Sequence, residues 1–276
     1  MTLVASFLVT GHPLPVLAAG VPAYAALRSG LAAAADALAA SQADVVLAYS
    51  TQWFAVLDEL WQTRPRLQGL HVDENWYDRG DLPFDITVDT ALAQACVEAS
   101  PGVGVKAKAV DYDGFPIDSG TIVMANGLDP QHRLRYVLAS NNLYHDGATT
   151  EKLAAMAVDV AGRLGRRVAL VGVGGLSGTL FRQKIDLAED HVTGADDDAL
   201  NRRLLGLLEQ GDAAALRAFL PEYAGAAKAD MGMKHLHWLL GGMGDRWTSA
   251  KVLGYGPGYG PGYGTGQAVV QFNVRP

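Results

Sequence analysis

Short apolar runs alternate along the chain with longer stretches in which apolar residues recur at helical spacing. The short runs predict buried strands, because they are at most ten residues long and either end in or are followed by polar or glycine residues. The predicted strands are TLVASFLV (2–9), DVVLAYS (44–50), GTIVMAN (120–126), LRYVLAS (134–140) and RRVALVGVGG (166–175). Strands that alternate with helices predict an α/β fold, with a central, mostly parallel or mixed sheet and helices on both faces.

The longer stretches predict amphipathic helices. We expect Asp89 or Thr90 to cap one helix, Gly165 to end another, and the helices at 196–211 and 212–220 each to begin through Asp. The other helices are predicted at 22–41, 85–100, 149–165 and 230–243. No linker-like segment divides the chain, so residues 1–276 are predicted to form a single domain.

The stretch after the second predicted strand combines an odd polar residue with an apolar pattern. QWFAVLDELW (52–61) is predicted to be helical, with Phe54, Leu57 and Trp61 on one face. Gln52 stands where α/β proteins usually place chemistry, at the carboxyl end of a strand. An amide cannot act as a general base and is a poor metal ligand. Gln52 is therefore either a binding contact or the mark of a missing catalytic residue.

Composition narrows the class of protein. The chain of 276 residues is 49% hydrophobic and 18% charged, which is enough for a sizeable core. A net charge of −7 without a basic stripe argues against a nucleic-acid surface. The N-terminus lacks a positively charged region, and the alanine-rich run 24–40 is interrupted by Arg28 and Asp36, so neither a signal peptide nor a membrane span is expected. The single cysteine, Cys96, is predicted to be a buried residue in a reducing compartment, and we expect a cytoplasmic protein.

Two glycine-rich segments allow more than one interpretation. GYGPGYGPGYGTG (254–266) repeats Gly-Tyr-Gly-Pro and is predicted to be a flexible surface loop, although its tyrosines could also pack on a partner or rim a pocket. VGVGGLSG (171–178) follows a strand, as a phosphate-binding loop does, but no Walker lysine follows it. A glycine turn at which backbone passes close to another element is at least as well supported.

The histidines do not form an evident metal motif. The seven are His12, His71, His132, His145, His191, His235 and His237. His235 and His237 are two residues apart, and on a helix they point about 200° apart, so they cannot both bind one ion. No G-x-S-x-G elbow is present either. Taken from the residues alone, the chain has no convincing catalytic set.

Several segments together resemble the class III (type II) extradiol ring-cleavage dioxygenases, and among these the alpha subunits of the members that cleave 2-aminophenol. The likeness spans nearly the whole chain in the same order. It rests on FLVTGHPLP, VVLAYSTQWF, HVDENWYDRGDLPFDI, DYDGFPIDSGTI, SNNLYHDG, VGVGGLSGTLFR, DMGMKHLHWLLGGM and GYGTGQAVVQF. Catalytic members of this family hold Fe(II) with two histidines and a glutamate, and a further histidine acts as general base.

The resemblance implies that the iron site has been lost from this chain. His12 lies in the first ligand's element, directly before Pro13, whereas Gln52 stands at the second ligand's position. Gly178 takes the position of the general base, and Lys234 that of the glutamate. The expected site is therefore degenerate, with no catalytic, cofactor-binding or metal-binding residue.

The resemblance also implies a partner. It indicates a non-catalytic alpha subunit that stabilises a homologous catalytic beta subunit, in an α2β2 heterotetramer in which the beta subunit carries Fe(II) and binds the aromatic substrate. The beta subunit would convert 2-aminophenol to 2-aminomuconic semialdehyde. Trp76, Tyr77 and Phe115 are candidate interface anchors, with a core role as the alternative.

Two other functions remain open from the sequence. The first is an active metal-dependent dioxygenase whose ligands come from His12, His145, His235 or His237. The second is a ligand-binding or regulatory module that keeps the emptied pocket. Convergence of three of those histidines would favour the first, and affinity of the isolated chain for 2-aminophenol or its product would favour the second.

Overall fold

A mixed sheet of ten strands forms the centre of the protein within residues 2–181, 185–258 and 264–275, which are the residues that this computed structural model describes. The strands are β1 (Leu3–Val9), β2 (Val45–Ala55), β3 (Glu59–Gln62), β4 (Arg66–His71), β5 (Leu82–Val88), β6 (Ala107–Val110), β7 (Arg135–Asn142), β8 (Val168–Val173), β9 (Trp247–Gly258) and β10 (Thr265–Val274). Their order is β4-β5-β7-β2-β8-β1-β10-β9, and β3 pairs with β6 and β7.

The middle of the sheet is parallel. Strands β5, β7, β2, β8 and β1 run in one direction, whereas β10 is antiparallel to β1 and β9 to β10. At the other edge β4 is antiparallel to β5. Strand β8 is buried along its whole length, as expected of an apolar run in a parallel sheet that is covered on both faces. The predicted mixed α/β sheet is confirmed.

Helices cover both faces of this sheet. They are α1 (Leu14–Leu17), α2 (Ala25–Ser41), α3 (Thr90–Ala99), α4 (Ser119–Leu128), α5 (Gly147–Arg163), α6 (Ala195–Gln210), α7 (Ala213–Ala226) and α8 (Lys234–Met243). Neighbouring residues of β2 show the two layers. The Tyr49 ring stacks on Trp238 of α8, whereas Ser50 donates a hydrogen bond to Asp118 at the start of α4. Because successive strand side chains point to opposite faces, α8 and α4 lie on opposite sides of the sheet.

Two segments form a different type of secondary structure from the one predicted. Residues 52–61 are not a helix, because β2 continues to Ala55 in parallel pairing with β7 and a turn leads into β3. Leu57 is consequently 84% exposed, whereas Trp61 is buried in the core. Residues 120–126 are not a strand but part of α4, which is buried on nearly all sides, so that its apolar run lacks helical alternation. Asp118 caps this helix by accepting a hydrogen bond from the Thr121 backbone N–H.

The predicted caps are confirmed at three helices and wrong at one. Asp89 caps α3, Asp212 caps α7, and Gly165 follows α5 in a left-handed conformation with φ of +68°. Helix α6 begins instead after Gly194, and its aspartates occupy the first turn, where negative charge faces the positive end of the helix dipole.

The first part of the Gly-Tyr-Gly-Pro segment is a strand rather than the predicted loop. Residues 254–258 complete β9 and pair with the start of β10, while residues 259–263 lie outside the described part of the chain. Gly254 is needed here, because a Cβ atom at this residue would lie 2.3 Å from the carbonyl oxygen of Ala26 on α2. The Tyr255 hydroxyl donates a 2.7 Å hydrogen bond to Asp198, which ties β9 to α6.

Two further sequence predictions can be compared with the fold. Cys96 is fully buried on α3, and burial raises the pKa of its thiol to about 12, so the prediction of a buried structural cysteine is confirmed. Among the described residues, no helix combines the length and apolar character that a bilayer crossing requires.

Candidate functional site

A cavity of about 640 Å³ opens at the carboxyl ends of the parallel strands β1, β2 and β8. This is the edge of an α/β sheet at which ligands usually bind. His12, Gln52 and Gly178 all line the cavity, so the structure brings together three of the four residues that the sequence predicts there. Lys234 is not among the lining residues, and Asp230 occupies part of the wall instead.

The Gln52 side chain is committed to the protein itself. Its amide N–H donates to the carbonyl oxygen of Gly11 (3.2 Å). Its Oε1 accepts from the Ser119 hydroxyl (2.8 Å) and from the Gly120 backbone N–H (2.9 Å). A Cβ atom at Gly11 or Gly120 would lie within 3.0 Å of the Gln52 side chain, so the amide fills its space closely. Gln52 joins the loop after β1 to the start of α4 and offers no unoccupied lone-pair direction suited to a metal.

His12 is buried at the wall of the cavity, 2% exposed. Its backbone N–H donates to the Thr10 hydroxyl, and its ring contacts the edge of Tyr24 at a centroid distance of 6.1 Å. Burial holds the pKa of His12 well below its usual range, so the imidazole is neutral at physiological pH. The neutral His12 imidazole could therefore bind a metal ion, but no second histidine lines the cavity among the described residues.

The turn after β8 is a place of close backbone approach. A Cβ atom at Gly178 would lie 2.4 Å from the carbonyl oxygen of Lys228. A Cβ atom at Gly172 would meet the carbonyl oxygen of His235 at 2.4 Å, and at Gly175 the amide of Gln267 at 2.6 Å. The close-packing interpretation of this segment is therefore the one that the geometry supports. No side chain, and hence no general base, fits at Gly178 without a backbone shift.

Lys234 points away from the cavity. It is 8% exposed, and its ammonium donates to the carbonyl oxygens of Asn142 (2.7 Å) and Leu143 (3.4 Å) and to Oδ1 of Asn141 (3.3 Å). Burial lowers the pKa of Lys234, and the nearby Glu59 carboxylate opposes that shift. The lysine therefore holds the end of β7 and does not place its charge in the cavity.

Asp230 is the cavity residue that the sequence analysis missed. Its Oδ2 accepts hydrogen bonds from the Thr51 hydroxyl (2.7 Å) and the Gly175 backbone N–H (2.8 Å). The chain reaches α8 from this residue through Met231, Gly232 and Met233, which have φ values of 43°, 62° and 63°. Such consecutive left-handed residues are rare outside glycine, and no sequence motif announces them. An aspartate opening the segment DMGM was the available signal.

The remaining histidines are engaged in separate places. The His145 ring lies 3.2 Å from the buried Glu59 carboxylate, and the His237 ring lies 2.7 Å from Glu151. His235 is fully buried, and burial lowers its pKa to about 4. Within the described ranges, no three His, Cys, Asp or Glu side chains are grouped so that they could hold a metal ion.

The candidate interface anchors differ in exposure. Trp76 is only 7% exposed and packs with Leu14 and Tyr24, so it has the core role that was the alternative to an interface anchor. Tyr77 is 67% exposed and remains available to a partner. Phe115 is partly buried, in an edge contact with Trp53.

Comparisons with known proteins agree with this arrangement. No protein-family model matches the chain. The chain is 49% identical over 275 residues to the 2-aminophenol 1,6-dioxygenase alpha subunit of a Pseudomonas species, covering 99% of this chain and 100% of that protein. It is 22% identical over 217 residues to 3,4-dihydroxyphenylacetate 2,3-dioxygenase of Escherichia coli, covering 78% of this chain and 79% of that protein.

A solved structure shows the same fold. The uncharacterized protein JW3007 from Escherichia coli K12 superposes with a TM-score of 0.67 at 13% identity, covering 97% of this chain and 99% of that chain. Together with the cavity at the strand ends, these matches place the chain among the extradiol ring-cleavage dioxygenases, which confirms the resemblance seen in the sequence. Within that superfamily, the chain belongs to the family of 2-aminophenol 1,6-dioxygenase alpha subunits.

Proposed function

We propose that this chain is the non-catalytic alpha subunit of a 2-aminophenol 1,6-dioxygenase-type enzyme and that it holds no iron. The relationship to an alpha subunit over the whole chain supports this function. The observation that carries the loss of activity is the Gln52 side chain. It stands where the resemblance expects a histidine ligand, and its oxygen, the atom that could bind a metal, already accepts two hydrogen bonds from the protein.

The residues of the cavity do not fit an Fe(II) centre. A two-histidine, one-carboxylate site needs three ligands that face one point. The cavity wall offers one histidine, His12, and the carboxylates of Asp73 and Asp230, but within the described residues no three such side chains are grouped to hold a metal. Gln52 is no ligand, and Gly178 has no room for a side chain that could act as base. General acid–base catalysis alone contributes about 10²–10⁴ in rate, so its loss would be severe even with a metal present.

We propose that the catalytic step takes place in a homologous beta subunit, which would hold Fe(II) and open 2-aminophenol to 2-aminomuconic semialdehyde. The alpha subunit would stabilise this partner, in an α2β2 assembly. The cytoplasm is the compartment that we propose, because the one cysteine of the chain is a buried thiol.

Exposed apolar side chains at the carboxyl ends of two central strands support a partner. Phe54 and Leu57 at the end of β2 are 53% and 84% exposed, and Leu143 and Tyr144 after β7 are 43% and 82% exposed. The two segments are adjacent, because the Leu143 backbone N–H donates to the carbonyl oxygen of Ala55. Exposed aromatic and aliphatic residues that cluster in this way are typical of protein–protein contacts. We propose that the beta subunit covers this cluster.

The function is tested by producing the chain alone and together with a beta-type subunit. Iron content, oxygen uptake with 2-aminophenol and the mass of the native complex are measured for each preparation. We expect a stable heteromeric complex that contains iron and consumes oxygen, and an isolated alpha chain that does neither. One tightly bound iron per isolated alpha chain, with turnover of 2-aminophenol, would overturn the proposal.

An active enzyme with a different metal set is the rival function. It requires three of His12, His145, His235 and His237 to converge. The bonds of His145 to Glu59 and of His237 to Glu151 hold these two rings in separate places, and His235 is enclosed beside the turn after β8. No observation on this chain favours the rival over the alpha-subunit role.

A further inference from the structure

Asp230 presents one carboxylate oxygen that the protein does not use. Among the described residues, Thr51 and Gly175 donate hydrogen bonds to this carboxylate, and Oδ2 accepts both of them. In the part of the chain that the structure describes, Oδ1 has no hydrogen-bond partner, and it is not among the enclosed polar atoms. Because Asp230 lines the cavity, this oxygen is available to a molecule that enters it.

The charge of Asp230 determines which kind of molecule the cavity can bind. No Lys, Arg or His side-chain nitrogen of the described residues lies within 4.0 Å of an Asp230 carboxylate oxygen. Two further charged residues, Asp73 and Lys228, also line the cavity, and burial keeps the His12 imidazole neutral. The two carboxylates outnumber the one lysine, so an N–H or O–H group would find a charged acceptor at Asp230, whereas an anion beside Asp230 would meet like charge.

The rest of the wall favours a ring. Apolar or aromatic side chains of Phe54, Trp76, Leu180 and Met231 surround the opening, and the volume of about 640 Å³ lies in the range of small-molecule sites. The oxygen of the Gln52 amide already accepts two hydrogen bonds from the protein, so it does not compete with Asp230 for the ligand's donor. A flat apolar body with a donor at one end matches this combination.

We infer that the cavity of this chain is a metal-free binding site for a small neutral aromatic molecule bearing an amino or hydroxyl donor, and that Asp230 accepts a hydrogen bond from that donor. The inference rests on the proposed function in taking the chain to lack iron. It gives the non-catalytic subunit a ligand of its own. It also predicts that an uncharged ring is bound in preference to a carboxylate-bearing molecule of the same size.

The test measures binding to the isolated full-length chain by isothermal titration calorimetry, without oxygen and with a chelator present. The probes are 2-aminophenol and 2-aminobenzoate, which share the ring and the amine but differ in a hydroxyl against a carboxylate. We expect saturable 1:1 binding of 2-aminophenol and at least about tenfold weaker binding of 2-aminobenzoate. Absence of saturable binding, or equal affinity for both probes, would overturn the inference without any variant.

Asp230→Asn tests the residue itself. The new amide can keep its oxygen toward Thr51 and Gly175, which turns its NH2 group into the cavity and replaces the acceptor with a donor. Affinity for 2-aminophenol should fall roughly 10- to 100-fold, because a hydrogen bond to a charged group is lost. Asp73→Asn is the matched control, since it removes a charge from the same wall, and it should change the affinity less than about threefold.

The outcomes separate this inference from the proposed function. An equal loss of affinity in both variants would mean that Asp230 has no special role, which refutes the assignment. An Asp230→Asn protein that does not fold leaves the two-probe comparison on the unaltered chain as the deciding measurement. An active alpha–beta complex whose isolated alpha chain binds neither probe refutes the binding site and leaves the subunit role standing. Iron and turnover in the isolated alpha chain refute the subunit role.

Discussion

Replacing Gln52 by histidine restores the residue type that iron-binding relatives are expected to have, and we predict that it weakens the fold without creating an iron site. The amide makes three hydrogen bonds, one donated to Gly11 and two accepted from Ser119 and Gly120. An imidazole in the same space keeps at most one of them. At about 1 kcal/mol for each net hydrogen bond, the loss is about 2 kcal/mol. For a chain of this size, that lowers Tm by about 4–8 °C.

The surroundings of residue 52 explain why iron should not bind to Gln52→His. Thr51 and Gln52 both line the cavity, where the pairing of β2 with β7 is irregular between Tyr49 and Phe54. Thr51 holds Asp230, whereas the Gln52 side chain lies between Gly11 and Gly120. An imidazole at residue 52 would therefore have to leave the space between Gly11 and Gly120 to reach a metal beside Asp230, whose Oδ2 already accepts hydrogen bonds from Thr51 and Gly175. Because Asp230 supplies a carboxylate at the cavity wall, the absence of a glutamate at residue 234 does not by itself prevent iron binding.

Two measurements check this prediction. Thermal unfolding of Gln52→His is compared with that of Gln68→His, an exposed residue of β4 for which the described residues provide no side-chain hydrogen bond, and which should change stability by less than about 0.5 kcal/mol. Iron content is measured after anaerobic incubation with Fe(II). Tight iron at one per chain would show that residues 52 and 230 converge and would refute the reasoning. An unchanged Tm would show that the amide bonds contribute nothing.

Three further predictions address packing, charge and the partner. Gly178→Ala should lower the free energy of unfolding, measured by chemical denaturation, by about 1–3 kcal/mol, because its Cβ would lie 2.4 Å from a backbone carbonyl oxygen. Gly225→Ala on α7 is the control: its Cβ would enter open space, so the substitution should be neutral or stabilising. Burial tends to raise the pKa of Glu151, but hydrogen bonds from a histidine and an arginine lower it below 4.5, so the Tm deficit of Glu151→Gln should be largest near neutral pH and shrink as the pH falls through the lowered pKa. Leu57→Asp should reduce co-purification with the beta subunit while leaving Tm unchanged. Leu70→Asp, at another exposed site, is the control and should change neither the co-purification nor the Tm. Equal yields of the complex for both variants would place the contact elsewhere.

The central strands and most helices could be predicted from the sequence because their local pattern and their tertiary role agree. Strand β8 is a continuous apolar run that ends in glycines, and it is buried throughout. Helix α5 keeps its apolar residues at helical spacing and starts at Asp146, whose carboxylate accepts from the Thr149 N–H. In such segments, propensity, capping and burial favour the same structure.

The errors occur where pairing or burial overrides the local pattern. The apolar spacing of residues 52–61 fits a helix, but the sheet extends β2 alongside β7 as far as Ala55, and the apolar side chains near its end remain exposed. Residues 120–126 read as a strand, because a helix that is buried almost all round shows no polar face. Neither outcome is encoded in the spacing of the residues themselves.

The candidate site was predicted in position but not in composition. Gln52 was identified because the end of a strand is a privileged place in an α/β fold, and the cavity is found there. Asp230 was not, because its approach to the cavity depends on the left-handed turn through Met231 and Met233, a conformation that residue types other than glycine rarely adopt. Long-range backbone geometry of this kind has no counterpart in a short motif.

The three departures from an iron site are each fixed by a different physical cause. Hydrogen bonds to the loop after β1 and to the start of α4 hold Gln52. The close approach of the Lys228 carbonyl oxygen leaves no room for a side chain at Gly178, and bonds to the end of β7 hold Lys234. None of these contacts depends on another, so reverting one residue leaves the remaining two in place. A return to iron binding would require the turn after β8 and the start of α8 to move together with the replacement of Gln52. The present packing therefore holds these three residues away from an iron-binding arrangement, and Oδ1 of Asp230 is one polar atom of the cavity wall that has no hydrogen-bond partner among the described residues.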